Sequence, residues 1–76
     1  MGKQKFVLSF YTTNEAMSAE FICKSNGIDG KLIPVPRHMS AGCGMAWMTD
    51  LEFKDRLIDL INDEDIEWED SAVIEI

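Results

Sequence analysis

The sequence predicts an α+β fold of the ferredoxin-like kind, β-α-β-β-α-β, in which a four-stranded antiparallel sheet carries both helices on one face. Three observations lead there. Four short apolar segments, at 6–11, 31–35, 45–48 and 72–76, have strand composition or alternation. Two stretches, starting at Thr12 and Thr49, open with helix-capping signals and continue with helical apolar spacing. The second and third strands are joined by a loop with no helix between them. Two strand-helix-strand units with right-handed crossovers close most economically into that arrangement. At 76 residues a single domain spanning 1–76 is expected, with a small core.

The first strand, Phe6-Val7-Leu8-Ser9-Phe10-Tyr11, is apolar on both faces and therefore belongs at the centre of the sheet. Thr12 and Glu15 form a capping box, and the helix they open should stop at Gly27, which tolerates a left-handed cap. Its inward face is Ala16, Ala19, Ile22 and Cys23, with Met17 and Phe21 partly covered. The second strand contains Pro34, which cannot donate to a ladder, so an edge position is expected. Thr49 with Glu52 repeats the capping pattern before a stripe of Phe53, Leu57, Leu60 and Ile61, and Glu52 and Arg56 are spaced as an i,i+4 ion pair. Asp63, Glu64 and Asp65 should loosen the end of this helix, because negative charge there opposes its dipole. Trp47 reads as core, and Trp68 as a shield on the approach to the last strand.

Charge narrows the partners. Fourteen acidic against seven basic residues give a net charge of −7, a field that repels phosphate backbones and anionic lipid, so neither nucleic acid nor membrane is an expected partner. The apolar run after the basic start is too short for a secretory signal, and no segment is long enough to span a bilayer. Two cysteines without an export signal read as free thiols in a reducing cytoplasm. With one histidine they are too few for a closed zinc site, and no cofactor or metal is expected.

The stretch 34–47 concentrates the candidate chemistry. It holds two prolines, Arg37, the sole histidine His38, and Cys43 between Gly42 and Gly44. In the predicted topology this loop lies at the end of the sheet where the first strand exits, so Cys43 should face Tyr11, Thr12, Thr13 and Asn14. An amide-rich helix start favours an anion and hence a thiolate. The flanking glycines let backbone amides turn inward and a reactant approach closely. The alternative is that Gly-Cys-Gly is a tight strand entry with Cys43 a small buried hydrophobe. Arg37 can bind an anion or pair with Asp63, Glu64 or Asp65; His38 reads as a solvated loop residue; Cys23 reads as core.

These residues also resemble a known family. The frame Phe10-x-Thr12-Thr13-x-x-Ala16-Met17-x-Ala19-Glu20, then Gly27-Ile28, then Leu32-Ile33-Pro34-Val35-Pro36-Arg37, then Ser40-x-Gly42-Cys43-Gly44-Met45-Ala46 is similar to a small bacterial family described as putative selenium/sulfur carrier protein-like. The similarity runs from the first strand to the third and weakens after Asp50. It implies a cytoplasmic protein that holds sulfur or selenium on a cysteine, here Cys43, and meets a donor or acceptor protein. Pro34, Pro36, Arg37, Cys43 and Gly44 carry over position by position; His38 does not, and Gly42 and Trp47 sit where variation is expected.

Three functions follow for testing. The first is a non-enzymatic sulfur or selenium carrier using Cys43, supported by Gly42, Gly44, Arg37, Thr12, Thr13 and Asn14. The second is an interaction or regulatory module that forms a homodimer or binds a partner through the sheet edge and the proline-rich loop. The third is a metal shuttle built on Cys43, His38 and Met39 across a dimer.

Overall fold

The computed structural model describes residues 3–75. Its elements run β1 (Gln4–Ser9), α1 (Thr13–Ser25), β2 (Gly30–Pro34), β3 (Met45–Asp50), a 3-10 turn (Leu51–Phe53), α2 (Lys54–Asp63) and β4 (Asp70–Glu75). The sheet order is β2-β3-β1-β4 with every neighbouring pair antiparallel, which is the ferredoxin-like arrangement. Two-sided apolar β1 is central, and β2 is at an edge, where the missing N–H of Pro34 removes no bond the sheet requires.

Alternation along β1 builds two layers. Phe6, Leu8 and Phe10 point to one face, where Leu8 lies opposite Trp47 and the group packs with Ala16, Ala19 and Cys23 of α1 and Leu57 and Ile61 of α2. Both helices therefore cover this face. Val7 and Ala46 point to the other, and there Met39 from the β2–β3 loop lies over them. Trp68 is half-buried against the main core, as its shielding position suggests.

Several boundaries differ from expectation for identifiable reasons. Thr49 does not cap a helix; it is buried within β3, in register with Phe6 and Gly30, and its hydroxyl donates to the Asp29 carbonyl. An inner strand satisfies backbone groups on both sides, which outweighs one cap bond worth about 1 kcal/mol. The second α-helix consequently starts at Lys54 after a 3-10 turn with no side-chain cap. Arg56 donates to the Asn26 carbonyl at 3.0 Å and lies over the Phe53 ring, tying α2 to the end of α1 in place of the expected pair with Glu52. Met17 and Phe21 are exposed, at 59% and 72%, rather than partly covered. The small side chains of Ala16 and Ala19 draw α1 close to the sheet, and residue 17 lies about 100° round the helix from residue 16, outside that narrow contact. β1 begins and ends two residues earlier than expected, β4 begins at Asp70, and Ile76 lies outside the described residues.

The two α-helices end in the same way. After α1, Gly27 takes the left-handed conformation (φ 73) and the Ile28 amide reaches back to the Cys23 carbonyl at 2.9 Å. After α2, Asp65 takes that conformation (φ 55) and Ile66 bonds to the Ile61 carbonyl at 3.0 Å. The acidic run thus closes α2 in an ordered cap, where loosening was expected.

Candidate functional site

The loop from 35 to 44 is held down at both ends and in the middle. Its neck is closed by the Val35 amide donating to the Gly44 carbonyl at 3.0 Å. Above the neck the Ser9 hydroxyl donates to the Ser40 carbonyl at 2.5 Å, while the Ser40 amide donates to the Asp70 carboxylate at 3.2 Å. The Gly42 amide donates to Glu69 Oε1 at 2.8 Å, and Glu69 is itself fixed by its amide on the Ser9 carbonyl. Loop amides that no ladder can satisfy therefore find carboxylates at the start of β4.

The two glycines beside the cysteine serve different needs. A Cβ on Gly42 would fall 2.5 Å from the Tyr11 carbonyl oxygen, so only glycine lets the loop lie against the end of β1. Gly44 meets nothing but has φ +75, the left-handed region that suits glycine.

Between them Cys43 is half-buried, with its side chain packed against the main core. Its Sγ donates to the Phe10 carbonyl at 3.3 Å, lies 3.5 Å from the Met45 carbonyl, and accepts from the Met45 amide at 3.4 Å. The sulfur thus has backbone acceptors and a backbone donor, which fix its direction without a charged side chain. The loop does lie at the β1 exit, and the sulfur's partners there are Phe10 and Met45 rather than Thr12, Thr13 or Asn14. Thr12 is occupied as the cap of α1: the Glu15 amide donates to its hydroxyl at 3.2 Å, and its own amide donates to Glu15 Oε1 at 3.1 Å. That carboxylate already offsets part of the positive end of the helix. Thr13 and Asn14 are exposed in the first turn.

Arg37 and His38 are exposed at the loop tip, in a turn closed by the Met39 amide on the Pro36 carbonyl at 3.0 Å. Among the described residues Arg37 forms no ion pair with Asp63, Glu64 or Asp65. Met39 is buried on the helix-free face while Cys43 packs toward the helices, so the trio proposed as a metal shuttle is divided between the two sides of the sheet.

Sequence reasoning missed Glu69, Asp70 and Ser9, the anchors of the loop. The available signal was indirect: a loop with many unpaired amides requires acceptors, and the topology brings the carboxylates before β4 to that end. Cys23 matches its expected role, fully buried on α1, and burial pushes its thiol up from an ordinary 9.0 to about 11.

The sheet is ferredoxin-like, with one partly exposed thiol, Cys43, in its β2–β3 loop and the other free cysteine, Cys23, buried in the core. The chain belongs to the family described as Putative Se/S carrier protein-like, whose model matches residues 5–72. The match extends through α2 into β4, further than the resemblance read from 10 to 46, which weakens after Asp50. No curated protein and no solved structure matches the chain. No helix among the described residues is long and apolar enough to cross a membrane.

Proposed function

We propose that this chain carries a sulfur or selenium atom on Cys43 and delivers it to a partner protein without catalysing turnover. The observation that carries the reading is the placement of Cys43, partly exposed in an anchored loop, within a chain of this family. The Cys43 thiolate attacks the terminal sulfur of a donor persulfide. The donor's S–S bond breaks, the donor leaves as a thiolate, and a new S–S bond joins the transferred atom to Cys43. The atom moves at constant oxidation state, so no outside oxidant or reductant is required. Attack on that terminal atom by an acceptor nucleophile returns Cys43 to its thiolate. Selenium follows the same course with a donor that holds it on sulfur.

Both leaving groups are thiolates, so no general acid is needed to protonate them. The Met45 amide supports the reading as a donor to sulfur, and the glycine at 44 leaves room beside it. The reducing chemistry of free thiols fits a cytoplasmic carrier. The test is to expose the protein to glutathione persulfide, measure intact mass, then add an acceptor thiol. Gain of one sulfur atom followed by its loss to the acceptor is expected; a protein that never gains the atom contradicts the proposal.

A second reading, a module that pairs through its sheet, is supported by the helix-free face, where Ile33, Val35, Met48 and Ile74 are only partly buried around Val7. It predicts dimers in sedimentation equilibrium, and a monomer at all concentrations would reject it.

A further inference from the structure

Among the described residues, three of the four large apolar side chains that stand most exposed, Tyr11 at 50%, Met17 at 59% and Phe21 at 72%, line adjoining grooves beside the Cys43 loop. The two grooves, of about 510 Å³ each, share Ile66 as a common wall. One runs between Tyr11 and Trp68; the other runs along Met17 and Phe21. Every charged side chain lining them is acidic, with Asp65 and Glu67 in the first and Glu64 in the second. The first groove touches the site through two routes. The Tyr11 carbonyl is the atom against which Gly42 rests, and Glu67 and Trp68 lead directly into Glu69, which holds the Gly42 amide.

We propose that this face docks a basic, apolar-bearing segment of the protein that exchanges sulfur or selenium with Cys43. The partner's identity rests on the carrier reading, whereas the docking surface itself stands on the grooves and their charge. Carboxylates on the rim attract lysine or arginine, and the Tyr11 and Trp68 rings accept a cation over their faces. Met17, Ile66 and Phe21 line the second groove and offer apolar contact to a partner's side chains. A second copy of this chain is disfavoured as occupant because it brings the same acidic rim and a net charge of −7. Anionic lipid is disfavoured on the same ground.

The surface is tested by titrating the isotope-labelled full chain with a short synthetic peptide alternating arginine and leucine, followed by amide NMR. Controls are the same peptide with glutamate for arginine and with serine for leucine. Shifts centred on Phe21, Ile66 and Trp68 with the arginine–leucine peptide alone are expected, weakening with salt. Phe21→Ser should weaken binding about tenfold, as loss of a central aromatic contact does, and the pair Asp65→Asn and Glu67→Gln should weaken it severalfold. Phe21 is exposed and asparagine tolerates the conformation of Asp65, so these variants keep the fold. No shift, equal shifts with the serine peptide, shifts spread over the whole acidic surface, or shifts that depend only on protein concentration would each overturn the proposal. Loading of Cys43 by glutathione persulfide does not use this face. Normal loading with no peptide binding refutes the surface alone, and peptide binding by a protein that never loads refutes the carrier alone.

Discussion

The two cysteines show how one residue type is put to different ends by its local support. Cys23 sits on the inward stripe of α1 with no exposure, and its surroundings are the packed apolar side chains of the main core. Cys43 sits in a loop, half-buried, with its sulfur between the Phe10 carbonyl and the Met45 amide. A helix can bury a thiol but cannot easily aim one, since its own backbone groups are already paired. A loop anchored by carboxylates leaves peptide groups that can hold the sulfur while one side stays open. The difference in accessibility is therefore built by the backbone, and the flanking glycines are part of it.

The largest effect expected from this contrast is kinetic. In the native protein Cys43 should react with iodoacetamide at least about a hundredfold faster than Cys23, because Cys23 waits on opening of the core. In denaturant the two rates should converge, and similar native rates read by peptide mass spectrometry would erase the distinction.

The next effect is on stability against pH. Burial raises the Cys23 pKa above its unfolded value, so its contribution is fully present below about 9 and is lost as pH rises through about 11. Urea unfolding at a series of pH values should show a decline of up to about 2–3 kcal/mol across that window, absent in Cys23→Ala. A wild-type curve parallel to that of the variant would contradict the burial account.

Smaller effects sharpen the account of the loop. Gly42→Ala places a carbon against the Tyr11 carbonyl and should cost about 2 kcal/mol, in the range of overpacking. Gly44→Ala should cost about 1 kcal/mol, the penalty for a left-handed residue with a side chain. Denaturation midpoints in the reverse order would show that the close approach to β1 is not what fixes the loop. Smallest, Glu69→Gln keeps a hydrogen-bond acceptor for the Gly42 amide but removes its charge, for about 1 kcal/mol or less.

Much of the fold was legible from local chemistry. Two-sided apolarity put β1 in the centre, Pro34 put β2 at an edge, and the Thr12–Glu15 box and Gly27 bounded α1. The same reasoning failed at Thr49, because a threonine three residues before a glutamate reads alike in a cap and in a strand, and only pairing with Gly30 and Phe6 decides between them. It failed at Asp65, where an aspartate fills a position that glycine usually marks. At the site, Cys43 and its glycines stood out by composition, as did the end of the sheet they occupy. The atoms around the sulfur did not, because they are carbonyls and amides of Phe10 and Met45 whose side chains carry no signal. Glu69 and Asp70 were hidden in an acidic stretch that reads as solvated surface.

The account stands most directly on where a transferred sulfur atom comes to rest. After brief exposure of the native protein to glutathione persulfide, trapping with an alkylating reagent and peptide mass spectrometry should locate one added sulfur on Cys43 and none on Cys23. The adduct should vanish in Cys43→Ala and persist in Cys23→Ala. An adduct on Cys23, or none on either cysteine while glutathione thiol is persulfidated in the same mixture, would contradict it.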